Sequence, residues 1–170
     1  MQSDEQPDNS GLEQSPPDAT PRRNTELGKR IHSLLEKERF GVLATEAEDQ
    51  PYTSLVAVAA TEDMKRLFLA TTRSTRKFAN LIENPRVSLL VDSCSHDGVD
   101  FENAAALTAL GTGREIPENE REEFLEVYLA KHPGLRDFVR SPSCALIEIQ
   151  VSVYYLARHF QEVMAWRPKP

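Results

Sequence analysis

Cysteine is scarce in this chain of 170 residues: Cys94 and Cys144 are its only two, and they stand far apart in no C-x-x-C or Cys/His grouping. Both read as free thiols of a reducing compartment, and no structural metal is expected. No run of about 18 apolar residues occurs, and no charged-then-apolar leader opens the chain. Neither a membrane span nor a secretory signal is therefore expected, and the predicted location is the cytoplasm. Positive charge is also short, with 20 Lys and Arg against 27 Asp and Glu and a net charge of -7. That balance argues against nucleic acid, whose phosphate backbone calls for a broad basic surface; a small anion held by one local cluster stays compatible. There is no nucleophile triad, so no catalytic residue is assigned. Gly111-x-Gly113 lacks the third glycine and the downstream acid of a dinucleotide fingerprint. The pair reads as a bulge or a tight strand exit.

What is present fits one domain behind a tail. Residues 1–24 hold four prolines, five carboxylates and almost nothing apolar, too little to offset the entropy of ordering, so the sequence predicts a disordered tail there and a folded domain over 25–170. Asn24 or Thr25 can cap a helix carrying Leu27, Ile31, Leu34 and Leu35 on one face, with His32 at its boundary. Strands follow over 40–45 and 52–60, joined by the polar turn Glu46 to Gln50 as a hairpin. Later come a polar loop holding Cys94, His96 and Asp97, a small-residue strand from Ala104 to Thr112, and a helix from Pro117 to Lys131. His132 precedes Pro133 at a turn. The closing strand alternates Ile147, Ile149, Val151, Val153 and Tyr155 with Glu148, Gln150, Ser152 and Tyr154, which predicts one core side and one polar side. Short strands with an early hairpin favour a small closed barrel over a parallel sheet.

The chain is organised around Arg66 to Asp92, RLFLATTRSTRKFANLIENPRVSLLVD. An apolar run ends in Thr71 and Thr72, a helix opens at Ser74-Thr75-Arg76-Lys77, Asn84-Pro85 stops it, and a second apolar run leaves. Cations at a helix start oppose the helix dipole, and that cost invites an anion. A phosphate there would meet free backbone N–H groups, the hydroxyls of Thr72, Ser74 and Thr75, and the cations Arg76 and Lys77. A solvated helix face is the competing account of the same cations.

This order of strand, hydroxyl pair, Ser/Thr-Arg-Lys, helix and Asn-Pro-Arg-Val-Ser-Leu strand resembles the FMN-binding signature of the pyridoxamine 5′-phosphate oxidase-like family, over roughly Phe40 to Gly113. The resemblance implies a mainly β protein with flanking helices: a split β-barrel of about six antiparallel strands. Two chains would form a homodimer with the flavin at their interface. It places the phosphate clamp on Thr71, Thr75, Arg76 and Lys77, beside Thr72 of the hydroxyl pair already read as phosphate-binding. On the strand entered through Pro51 it assigns flavin-lining roles to Ser54, Leu55 and Val56, with Ser54 standing where the family usually has an arginine. Arg73 or Arg76 becomes the candidate substitute for that missing cation. Leu55, Val56 and Ala104 to Ala109 are the candidate partner-facing residues.

FMN is thus the implied cofactor, and the implied function is an FMN-dependent oxidoreductase acting on a small substrate. The segment YLAKHPGLRDFVRSP resembles, more loosely, an insert of haem-utilisation relatives, which keeps a haem or deazaflavin relative open, with His159 as the one candidate iron ligand. A non-catalytic flavin sensor with the acidic tail as effector is the reading from another class. Arg158 and His159 are adjacent, whereas the oxidases of this family separate their substrate-holding Arg and His by one residue. In a strand the two would point to opposite faces, which argues against the vitamin substrate.

Overall fold

The computed structural model describes residues 21–93, 104–158 and 162–169. The tail over residues 1–20, the loop carrying Cys94, His96 and Asp97, and His159 with Phe160 lie outside the described residues. Helix α1 spans Pro21–Lys37, starting earlier than a cap at Asn24 or Thr25 implies. Proline suits a first helical position, because its missing N–H would have had no intrahelical partner there. Leu27, Ile31, Leu34 and Leu35 are buried against the sheet while Glu26, Lys29 and Arg30 face out.

Strands β1 (Phe40–Ala47) and β2 (Gln50–Ala60) form the expected hairpin, with Glu48 and Asp49 at positive φ in its two-residue turn. β3 (Arg66–Thr72) leads into α2 (Arg76–Glu83), and β4 (Arg86–Asp92) and β5 (Ala105–Glu115) follow. Helix α3 (Arg121–Lys131), a single 3-10 turn at Pro133–Leu135 and α4 (Arg136–Val139) precede the long β6 (Cys144–Arg158) and the short β7 (Glu162–Trp166).

All pairings are antiparallel, in the order β3-β2-β1-β4-β5-β6-β7, and β3 also pairs with β6. Six strands therefore close on themselves as a split barrel, and the closure removes the exposed edges of a flat sheet. β6 makes the closure because it is long enough to bond β3 through residues 144–150 and β5 through residues 147–158.

β7 is a seventh strand beyond the closing strand that the sequence predicts. It extends β6, and its Trp166 ring packs 5.8 Å from the Tyr154 ring, centroid to centroid. Gly28 of α1 lets that indole come close, since a Cβ there would stand 3.2 Å from Trp166 Nε1.

The alternation read along β6 holds only in part. β5 and β6 shift register between Leu110 and Gly111, so that Leu110 faces Val153 while Gly111 faces Val151. Ser152 is the extra residue of a bulge, which flips the faces beyond it. Tyr154 and Leu156 consequently enter the core at 0% and 2% exposure, and Tyr155 does not. Gly111 is required at that bulge, since a Cβ would fall 2.2 Å from the Gln150 carbonyl oxygen. Glu148, expected on a polar side, is buried at 5% because Arg66 and Arg114 neutralise it at 3.7 and 2.5 Å.

One core fills the barrel beneath α1, and a second joins Phe68, Phe124, Tyr128 and Leu146 under α3. Among the described residues no helix is long and apolar enough to cross a membrane.

Candidate functional site

β3 delivers two threonines to the start of α2. Thr71 points into the protein at 4% exposure, and its Oγ1 lies 2.9 Å from Thr75 Oγ1. Thr75 donates its hydroxyl proton to the Thr72 carbonyl at 2.9 Å, so the Thr71 hydroxyl is the donor of the shared bond. Thr75 is the N-cap residue, with φ -85° and ψ 151°, yet its side chain makes no capping bond. The first-turn N–H groups of Arg76 and Lys77 are thus left uncapped by that hydroxyl, and they carry the positive end of the helix dipole. Ser74 Oγ reaches Thr72 Oγ1 at 3.5 Å, a second hydroxyl pair beside the first.

The position of α2 is fixed from beneath. Asn80 is 5% exposed on the helix's inner face and donates to Thr45 Oγ1 at 3.2 Å. Leu81 packs against Gly113, where a Cβ would stand 2.7 Å from Leu81 Cδ1. Asn84, after the last turn, donates to Glu46 Oε2 at 2.6 Å. The helix is therefore anchored to β1 and β5 along its length. The sequence reading missed Asn80 and Tyr52 (below). Asn80 could have been found as a polar residue between Phe78 and Leu81 on an otherwise apolar stripe.

The three cations around the start of α2 separate. Arg73 does not face the helix start: it is ion-paired with Glu115, with Nε 2.9 Å from Oε1, and Nη1 donates to the Pro142 carbonyl at 2.6 Å. Its expected role as substitute for the strand arginine is corrected, because a carboxylate at the end of β5 holds it. Arg76 and Lys77, by contrast, are paired with no carboxylate among the described residues, whereas Arg66, Arg86, Arg114 and Arg140 all are. Arg76 instead lays its guanidinium over the Tyr52 ring of β2, 5.2 Å from the centroid.

On β2 the three expected ligand-lining residues part in the same way. Ser54 and Val56 share the inner face with Tyr52, and Leu55 faces outward at 68% exposure. Val56 is 6% exposed inside the barrel core. It packs in the core and is not on the exposed outer face with Leu55, which corrects its reading as a partner-facing residue. Ser54 Oγ is buried with no hydrogen-bond partner among the described residues, a costly condition that a ligand acceptor or donor would relieve.

These residues fit a phosphate-bearing ligand. Two cations without carboxylate partners, a cluster of hydroxyls and uncapped helix N–H groups converge where β3 enters α2, and an orphaned hydroxyl lies on β2. Burial raises the pKa of the free thiol Cys144, across from Thr72, so it stays protonated. Burial lowers that of His132, whose Nε2 bonds the Val58 carbonyl at 2.9 Å, and lowers Lys131 to about 8. Lys131 Nζ donates to the Leu35 and Glu38 carbonyls, closing the end of α1. Among the described residues no group of three or more His, Cys, Asp or Glu could hold a metal ion.

A cleft of about 760 Å³ lies elsewhere, on the outer face of the sheet between Glu46, Arg86, Ser88, Leu110 and Ser152. That face is unusually apolar: Phe40, Leu55, Leu90 and Leu110 share it, at 57%, 68%, 37% and 36% exposure. Ala106 and Thr108 of the small-residue strand lie on it too, half-buried.

Comparison with known proteins agrees with this architecture. A heme-binding protein from Mycobacterium smegmatis has a similar structure, with a TM-score of 0.71 at 15% identity over 81% of this chain; the chain spans 56% of that protein's length. General Stress Protein 26 from Bacillus anthracis matches with a TM-score of 0.62 at 20% identity, over 84% of this chain and 98% of that one. A FAD-binding protein from Mesorhizobium loti matches with a TM-score of 0.61 at 17% identity, over 75% of this chain and 91% of that one. At these identities the likeness speaks for the fold. Comparison with curated proteins gives no match. The family model for pyridoxamine 5′-phosphate oxidase matches residues 27–157, which include every strand from β1 to β5 and nearly all of β6. With the split barrel it fits, that match makes this chain a member of the pyridoxamine 5′-phosphate oxidase-like family.

Proposed function

We propose that the protein binds FMN by its phosphate at the start of α2 and is a flavin-dependent oxidoreductase acting on a small substrate. The observation that carries this reading is the pair Arg76 and Lys77, free of carboxylates beside the Thr71–Thr75 hydroxyl pair. Two cations match the charge of a phosphate monoester, and charge-assisted hydrogen bonds are the strong ones. FMN, when bound, supplies the redox chemistry, exchanging a hydride between donor and acceptor. The chain's own residues bind and orient. Lys77 and Arg76 hold the phosphate, Thr75 turns its hydroxyl from the Thr72 carbonyl toward an incoming oxygen, and Ser54 gains a partner for its buried Oγ.

The reading includes a homodimer and a cytoplasmic location. Phe40, Leu55, Leu90 and Leu110 form an apolar outer face that a second copy would bury, and the phosphate cradle of a single chain is open to water. The buried His132 has its Nε2 on the Val58 carbonyl at 2.9 Å, and His159, the candidate haem ligand, lies outside the described residues.

The visible absorption spectrum of the purified full chain tests the cofactor, and reduction by a nicotinamide donor followed by reoxidation with a small acceptor tests the activity. A flavin spectrum that bleaches and returns supports the enzyme. A haem spectrum, or bound flavin that no donor reduces, overturns it.

A further inference from the structure

We infer that Tyr52 is a positioning residue for the phosphate site, a platform that holds the Arg76 guanidinium in place of the strand arginine this chain lacks. The inference rests on the phosphate reading above and adds a residue to it. Position 54 on β2 carries a serine, whose short side chain cannot bring a cation to the cradle, and its Oγ is left buried without a partner. Arg73 is held by Glu115 and the Pro142 carbonyl. Arg76 is then the one guanidinium of the cluster left to serve, and it is an exposed side chain at a helix start with no carboxylate to fix it.

An unrestrained arginine pays rotamer entropy each time it binds. The Tyr52 ring removes that freedom. Arg76 Cζ lies 5.2 Å from the ring centroid, within the range at which the ring face attracts a cation. Stacking also leaves the guanidinium edge, with its N–H donors, free to meet phosphate oxygens, since the ring face makes no hydrogen bond with it.

The platform is itself rigidly placed. Tyr52 pairs with Thr45 across the β1–β2 hairpin, and Thr45 Oγ1 both donates to the Tyr52 carbonyl at 3.4 Å and accepts from Asn80 of α2 at 3.2 Å. One short chain of bonds thus ties the helix that carries Arg76 to the strand that carries its platform. The geometry of the pair is set by the fold rather than by the ligand.

A double-mutant cycle in FMN binding, followed by flavin fluorescence with riboflavin as control, tests this. Tyr52→Leu should raise the Kd for FMN roughly fivefold, while Tyr52→Phe, which keeps the ring face, should stay within about twofold of the parent. In an Arg76→Ala background, Tyr52→Leu should add less than about twofold, because the cation it positions is gone. Riboflavin affinity should not separate the variants. Tyr52→Gln serves as a second ring-deleted variant if the leucine chain does not fold. Equal losses from Tyr52→Leu with and without Arg76, or a Tyr52→Phe loss as large as that of leucine, would overturn the platform while leaving the phosphate reading intact. Failure of Lys77→Ala to separate FMN from riboflavin would instead remove the phosphate reading, and the platform with it.

Discussion

Replacing Lys77 by alanine should weaken FMN and leave riboflavin nearly untouched, and the structure sets the size of the difference. Lys77 is half-buried in the first turn of α2 and has no carboxylate partner to lose, so its removal costs the fold little. A charged hydrogen bond to a phosphate is worth about 1.5–3 kcal/mol, which is about 10- to 150-fold in Kd. Riboflavin has no phosphate, and its affinity should change by less than about twofold. Arg73→Ala is the internal control, one helical turn away in sequence but engaged elsewhere. Its ion pair with Glu115 is partly exposed, with side-chain exposures of 40% and 27%, and is worth at most about 1 kcal/mol of stability. That variant should lower the urea midpoint slightly and affect FMN and riboflavin alike. Titrations of both flavins into the three proteins, read by flavin fluorescence, give the comparison. Parallel losses of FMN and riboflavin in Lys77→Ala, or a selective FMN loss in Arg73→Ala, would refute the assignment of the cations.

Three further outcomes follow from the fold. Burial, with Lys131 and Arg39 nearby, holds the His132 pKa below its ordinary 6.5, so the unfolded chain binds a proton that the folded chain does not. Stability should be full above about pH 6.5 and fall as pH drops toward the folded value; His132→Gln should flatten that slope in urea melts, and an unchanged slope contradicts the assignment. Gly111→Ala should cost about 1–3 kcal/mol in urea unfolding, because its Cβ would stand 2.2 Å from a backbone oxygen of β6, and a loss under about 0.5 kcal/mol would show that the bulge yields. Leu90→Asp, on the apolar outer face, should turn a sedimenting dimer into a folded monomer; an unaltered dimer would place the interface elsewhere.

The parts of the molecule that the sequence made legible are those specified locally. The stripe Leu27, Ile31, Leu34, Leu35 marks α1, the polar turn at Glu48 and Asp49 marks the first hairpin, and Asn84-Pro85 marks the end of α2. The hydroxyl and cation run was readable as one cluster at a helix start because its members are neighbours in the chain. What escaped depends on distant partners. Nothing near Arg73 announces Glu115, and nothing near Glu148 announces Arg66 and Arg114. The flip at Ser152 exists only in register with Gly111, so Tyr154 and Tyr155 could not be assigned to faces from β6 alone. The separation of Leu55 from Val56, in contrast, was within reach, since adjacent strand residues face opposite ways.

The central claim is that this chain holds a flavin by its phosphate, and a retention experiment tests it most directly. The purified full chain, stripped of chromophore, is offered equal amounts of FMN and riboflavin, desalted, and the flavin that stays with the protein is identified. The account predicts that FMN is retained and riboflavin passes through; equal retention of both, or retention of neither, would contradict it.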